Sequence, residues 1–256
     1  MPKKDRYLKT GIQGFDNLFE HGIPNGKAIL IEGSAGTGKT IFCLQTAYNT
    51  CRNGKKVLYM SFEESEDSLI EHMEQFGWDA IEMKKRGLLR ITRFSAIDIA
   101  RSVEALLSEA KKELLIATET VLFPHDFDPE VIVIDSLTSI ASAFSGEEYR
   151  FRIYIEQLFR YLEKKKITSY LIKETPAPTH IGGVYKDEHG PIAFLADGII
   201  CIYNVVYARG KRGGAIEILK MRGESFKKIT VKIEIKSKSG LIVYPNQELK
   251  GDYVLT

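Results

Sequence analysis

Short apolar runs alternate along this chain with longer segments of helical periodicity. The runs A-I-L-I-E (28–32), K-K-V-L-Y-M-S-F-E-E (55–64), L-L-R-I-T-R-F (88–94), V-I-V-I-D-S (131–136) and I-T-S-Y-L-I-K-E (167–174) read as strands. The β-branched run at 131–136 has the composition of a central parallel strand, buried on both faces. Between the strands, helical spacing recurs in T-I-F-C-L-Q-T-A-Y (40–48), along Ser68, Leu69, His72, Met73 and Phe76, from Ile97 to Val121, and from Glu147 to Lys166. Gly54 reads as the C′ residue of the first helix and Ser65 as the N-cap of the second, while F-P-H-D-F-D-P (123–129) breaks the long third pattern.

The rhythm changes after residue 174. Residues 175–191 hold three prolines and three glycines and read as a loop. Strand-like segments then follow one another without helices: D-G-I-I-C-I-Y-N-V-V-Y, A-I-E-I-L-K-M-R-G, I-T-V-K-I-E-I-K and L-I-V-Y-P. Ile229, Val231, Ile233 and Ile235 alternate with polar residues, the pattern of a half-exposed antiparallel strand. The expected architecture is α/β: a mostly parallel central sheet with helices on both faces and a C-terminal antiparallel β-meander. Residues 1–256 are expected to form one domain, opened by a short lead-in at 1–9.

In such a sheet, ligands sit beyond the carboxyl ends of the strands. The octapeptide at that place after the first strand is G-S-A-G-T-G-K-T (33–40), which fits G-x-x-x-x-G-K-[ST] at every fixed position. Glycines let successive backbone N–H groups turn inward on an anion, and the following helix N-terminus adds partial positive charge. The expected phosphate-binding set is Gly33, Ser34, Ala35, Gly36, Thr37, Gly38, Lys39, Thr40 and Ile41, with a nucleoside triphosphate as ligand. Lys39 is expected to reach the β- and γ-phosphates and Thr40 to hold Mg²⁺. Asp135, closing the 131–136 run, has the form of the acidic residue that supports that metal ion. It is also the form of a plain turn or helix cap. Glu63 and Glu64 end another strand; one of the two would orient or deprotonate an attacking water, and both also load the start of a helix with acid. Lys220 and Arg222, in K-M-R-G (220–223), read by themselves as solvated surface cations.

Composition narrows the setting. With 36 basic and 34 acidic residues the chain carries a net charge of +2, too near neutrality for a strong global attraction to nucleic acid. Cys43, Cys51 and Cys201 lack metal-ligand spacing; Cys43 lies in an apolar helix and Cys201 in an apolar strand, as buried thiols of a reducing compartment do. M-P-K-K-D-R-Y lacks a signal-peptide h-region and no apolar stretch is long enough to span a bilayer, so a cytoplasmic protein is expected.

The sequence resembles the KaiC-like branch of the RecA superfamily of ATPases over nearly its whole length. T-G-I-Q-G-F-D-N-L-F-E-H-G-I-P-N-G (10–26) looks like the lead-in of that branch to its phosphate loop, S-F-E-E-S (61–65) like its paired glutamates, and V-I-D-S-L-T (133–138) like its metal-supporting strand. F-L-A-D-G-I-I (194–200) and I-L-K-M-R-G (218–223) resemble two further blocks. The resemblance implies a RecA-like P-loop NTPase fold, ATP and Mg²⁺ as cofactors, and a homo-oligomeric ring, most often a hexamer. It also implies that Lys220 and Arg222 act as catalytic cations on nucleotide bound by the adjacent subunit. It leaves open a nucleotide-gated interaction protein, an autokinase using hydroxyls such as those of S-L-T-S (136–139), and a RadA-related DNA repair accessory ATPase.

Three departures stand against the pattern. The clock protein KaiC has two tandem domains and this chain has one; Phe226 stands where the family often has His; and about nine residues precede T-G-I, so the DNA-binding domain of RadA-type recombinases has no expected counterpart. The stretch Ser108 to Pro129 also looks longer than usual. Loops facing a ring channel would correspond to Thr138–Arg152, with Arg150 and Arg152 beside Tyr149 and Phe151, and to Thr175–Pro191, with His180 and Lys186 against Asp187 and Glu188. So few cations make weak support for nucleic-acid binding.

Overall fold

The central strands of the sheet are apolar on both faces, and the two faces bury against different layers. In the computed structural model, which describes residues 6–110, 124, 126–175 and 192–256, β3 (Ala28–Gly33) sends Ile29 and Ile31 into one core and Ala28 and Leu30 into the other. The same division holds for β4 (Val57–Ser61), β6 (Val131–Asp135) and β7 (Thr168–Glu174). Side chains alternate along a strand, so an unbroken apolar run fills two layers at once. Two short strands, β1 (Tyr7–Leu8) and β2 (Ile23–Pro24), pair antiparallel in the lead-in.

The main sheet has ten strands, in the path β11-β10-β9-β8-β3-β7-β6-β4-β5 with β12 beside β8, where β5 is Leu89–Arg93, β8 Gly198–Tyr207, β9 Arg212–Met221, β10 Val231–Lys236, β11 Gly240–Glu248 and β12 Tyr253–Leu255. Pairing is parallel from β5 through to β8 and antiparallel from β8 through to β11. The meander therefore starts one strand later than its sequence suggests, because β8 still runs alongside β3. Of the alternating residues 229–235, Val231 and Ile233 are buried, whereas Ile235 is 42% exposed.

Helices α1 (Lys39–Arg52), α2 (Glu66–Gln75) and α3 (Ala80–Lys85) contribute to one core. The other takes α4 (Ala96–Ala110), α5 (Leu137–Ser142), α6 (Glu148–Lys165) and α7 (Ile192–Leu195). Gly54 has the left-handed φ of +81° expected of a C′ residue, and Ser65 caps α2 by accepting from Ser68 N–H. The hairpin of β10 and β11 is clamped to α1 by Gln45, whose amide donates to Ser239 O and Leu241 O and accepts from Leu241 N–H. The lead-in folds on the carboxylate of Asp16, which takes hydrogen bonds from Thr10 and Gly11.

Residues 138–152, expected as a channel-facing loop leading into the helix from Glu147, hold all but the first residue of α5 and the first turn of α6. Ile140 and Phe151 are buried there, so apolar packing shapes the segment. Arg150 pairs with Glu147 and Glu104, and Arg152 with Glu156, so neither is a bare cation. The long helical pattern from Ile97 is observed to Ala110; residues 111–123, the loop residues 176–191 with His180, Lys186, Asp187 and Glu188, and residues 1–5 of the lead-in lie outside the described residues. Phe226 bridges to Phe19 and packs against a core cluster, which makes it a fold residue here. All three cysteines are buried and free. Among the described residues, no helix is long and apolar enough to cross a membrane.

Candidate active site

β3 ends at Gly33, Ser34–Gly38 form the loop, and Lys39, Thr40 and Ile41 open α1. A side chain at Gly33 would place Cβ 2.3 Å from Ile202 O, inside any allowed contact, so only glycine lets β3 turn there. Gly38 has φ +98° and is the N-cap of α1 without a capping side chain, which leaves the first-turn amides directed at an external anion. The loop is curled around Ser34 O, which accepts from Thr37 Oγ1 at 3.0 Å and from Lys39 Nζ at 2.8 Å. The side-chain amide of Asn204, on β8, reaches Ala35 O at 3.4 Å.

A cleft of about 390 Å³ brings the sequence-distant residues together. Gly36, Gly38, Lys39, Thr40, Ile41, Glu63, Glu64 and Asp135 all line it. β7 separates β3 from β6, yet Thr40 Oγ1 donates to Asp135 Oδ2 at 3.0 Å, because α1 lies over the sheet and carries Thr40 across. Tyr59 donates to the same oxygen at 2.7 Å. Burial raises the Asp135 carboxyl above its usual range, and these two donors hold it partly down. Burial also raises the Tyr59 phenol far above its ordinary value, so it remains a proton donor.

Lys39 is buried, and desolvation lowers its ammonium below the usual lysine range against the opposing pull of Glu174, Asp135 and Glu63. Its Nζ stands 3.6 Å from Glu174 Oε1 at the end of β7. Sequence inspection passed over Glu174, although a carboxylate closing an apolar strand is the same signal that singled out Asp135.

The adjacent glutamates part company. Glu63 Oε1 accepts from Ser136 Oγ at 3.1 Å and from Ser139 Oγ, at the start of α5. Glu64 turns the other way, with Oε2 accepting from Ser68 Oγ at 2.7 Å and lying 3.4 Å from His72 Nδ1 on α2. The end of the strand is where the backbone turns, which lets consecutive residues face one cleft. Leu44, Phe76 and Ile235 line the same cleft and give it a partly apolar flank. They were not singled out, because apolar residues on helix and strand faces look like core until the fold turns them to a cleft.

Lys220 and Arg222 are not in this cleft. β9 runs antiparallel to β8, which puts Met221 opposite Gly198 at the end of the sheet where β3 begins. Lys220 Nζ donates to the carbonyls of Ala193 and Ala196 at 2.9 and 2.6 Å, and Arg222 donates to Phe194 O at 3.0 Å. Arg222 also lines a separate hollow of about 470 Å³ with Asp197 and Arg160. Burial, then the neighbouring Arg222, lowers the Lys220 ammonium below its usual range.

A family model for the KaiC ATPase matches residues 8–248, spanning the phosphate loop, both glutamates, Asp135 and the K-M-R-G strand. The chain belongs to the KaiC family of ATPases. Its fold is accordingly the RecA-like P-loop NTPase fold, with ATP binding implied by the family. The chain is 29% identical over 256 residues to the UPF0273 protein PH0284 of Pyrococcus horikoshii, covering 98% of each. It is 28% identical over 253 residues to the circadian clock oscillator protein KaiC of Parathermosynechococcus lividus, covering 96% of this chain and 43% of that protein. Among solved structures, the crystal structure of the KaiC-like protein PH0186 from Pyrococcus horikoshii superposes with a TM-score of 0.74 at 28% identity, covering 94% of this chain and 99% of that one.

Proposed function

We propose that this KaiC-family chain is a Mg²⁺-dependent ATPase that works as a homo-oligomeric ring, a hexamer by family resemblance, with nucleotide held at subunit interfaces. The observation that carries this is the convergence of Lys39, Thr40, Glu63, Glu64 and Asp135 on one cleft at the carboxyl ends of the parallel strands. The loop amides and Lys39 bind the phosphates. Thr40 and Asp135 would hold Mg²⁺: the donors are hard oxygens, 3.0 Å apart at the edge of the cleft. Mg²⁺ takes much of its shell from phosphate and water, so few protein donors are needed. When bound, the ion neutralises charge on the transferred phosphoryl group.

A carboxylate of Glu63 or Glu64 takes the proton of the attacking water. Lys220 and Arg222 stand at the far end of their own sheet, so they serve a triphosphate only on another copy of the chain. Turnover then depends on assembly and is slow in isolated subunits.

Phosphate release from MgATP by the wild type, by Lys39→Ala and by the Glu63→Gln/Glu64→Gln double variant tests this. Release is expected from the wild type alone and is abolished by chelator; its absence in the wild type sinks the proposal. A second reading, autokinase, draws on Ser139, whose hydroxyl donates to Glu63 beside the phosphate loop. Radiolabel from the γ-phosphate retained on the protein, and lost in Ser139→Ala, would favour it over hydrolysis.

A further inference from the structure

Ser68 and His72 stand at i and i+4 on one face of α2, and Glu64 lies just before the helix with its side chain turned to both. Their geometry is specific. The Glu64 backbone is pinned by reciprocal bonds with Ser61, whose Oγ accepts from Glu64 N–H at 3.0 Å and donates to Glu64 O at 2.8 Å. The side chain is then tied by one oxygen only: Oε2 meets Ser68 Oγ and His72 Nδ1, while Oε1 has no hydrogen-bond partner among the described residues. Glu64 and His72 both line the phosphate-loop cleft. The neighbouring Glu63 is also tied by one oxygen, but its donors are two serine hydroxyls, which do not titrate in the working range.

We propose that Ser68 and His72 are positioning residues for Glu64, with His72 setting its readiness as a base through the protonation of the imidazole. The proposal rests on the hydrolytic reading above. Glu64 Oε1 accepts a proton from water as the water oxygen bonds to the γ-phosphorus. The bond to the β,γ-bridging oxygen breaks with its electron pair staying on ADP, and the proton leaves Glu64 with the released phosphate. An imidazolium against Oε2 stabilises the carboxylate anion and weakens it as a base; a neutral imidazole orients it without that penalty. The other charged groups around the cleft are Lys39 on α1, Glu63 beside Glu64, Asp135 on β6 and Glu174 on β7; β10 presents the uncharged Ile235. On α2 itself, Glu71 is the charged neighbour of His72 in sequence.

The experiment compares steady-state MgATP hydrolysis by the wild type, His72→Gln and Ser68→Ala from pH 5.5 to 8.5. Other titrating groups and the nucleotide are common to all three and cancel in the ratios. Gln keeps a neutral amide beside Glu64 and is a good helix former, and His72 is partly exposed, so folding is preserved. The ratio of His72→Gln to wild-type turnover is expected to rise several-fold from pH 8.5 to pH 5.5, with the change in kcat. Ser68→Ala is expected to be several-fold slower at every pH while keeping the wild-type pH dependence. A ratio of His72→Gln to wild type that is flat across pH overturns the proposal while leaving hydrolysis standing. A wild type with no turnover overturns both.

Discussion

Thr40 Oγ1 donates to Asp135 Oδ2 across 3.0 Å, joining residues 95 positions apart in the chain. One of these opens a helix and the other closes a strand two places away in the sheet, so their meeting is a property of the fold. In the proposed mechanism the same pair shares a divalent cation, the hydroxyl as ligand and the carboxylate as its support. Thr40→Ala is therefore expected to lower affinity for MgATP at least tenfold, about 1.4 kcal/mol, while affinity for ATP in chelator changes little. Titration calorimetry with and without Mg²⁺ reads both numbers; equal losses under the two conditions would remove the metal from the explanation.

Asp135→Asn separates the metal role from stability. Tyr59 and Thr40 donate to the same carboxylate oxygen, and the amide oxygen of Asn can accept both. The native Asp135 holds its proton more tightly than the unfolded chain does, so its contribution lowers stability as pH rises from 3.8 through the native value. The nucleotide-free Asn variant is expected to melt a few degrees above the wild type at pH 7, with the gap closing as pH falls below 4. Thermal melts at several pH values check this, and a lower melting temperature at pH 7 would contradict it.

Glu174 pairs with the Lys39 ammonium that the proposed mechanism assigns to phosphate. The two charged atoms are 3.6 Å apart and Glu174 is 45% exposed, so the pair is worth no more than about 1 kcal/mol. Glu174→Gln is expected to tighten ATP binding by at most about fivefold, with the gain shrinking at high salt. Weaker binding would mean that Glu174 orients Lys39 for the nucleotide.

Separation of the two ends of the sheet allows a mixing experiment. Lys39→Ala chains lack a working phosphate loop, and Lys220→Ala/Arg222→Ala chains lack the distal cations. Each alone is expected to be inactive, and a mixture is expected to recover part of the wild-type hydrolysis through sites that pair an intact loop with intact cations from a neighbour. No recovery in a mixture shown to co-assemble would exclude action between subunits.

Local signals made much of the site legible. Gly33–Thr40 is contiguous, so its function is written in consecutive residues whose backbone freedom and charge are both visible. Asp135 and the two glutamates stood out as carboxylates closing apolar runs. Short elements escaped notice: α3, α5 and α7 have six, six and four residues, too few to show helical periodicity. His72 was counted only as a position along α2, because its partner Glu64 precedes the helix and becomes a neighbour only once the strand end has turned.

The chain by itself determined the longer elements, the phosphate loop and the kind of ligand, because these depend on neighbours a few residues away: strand alternation, helix caps and glycines with left-handed φ. Only the tertiary structure decided the rest. Sheet order set β7, and with it Glu174, between the loop strand and the Asp135 strand. The antiparallel turn from β8 to β9 sent Lys220 and Arg222 to the opposite end from their own loop. Different donors then split Glu63 from Glu64, one held by α5 and the other by α2. Such pairings follow from which buried faces pack together, and side-chain contacts across tens of residues have no local sequence signature.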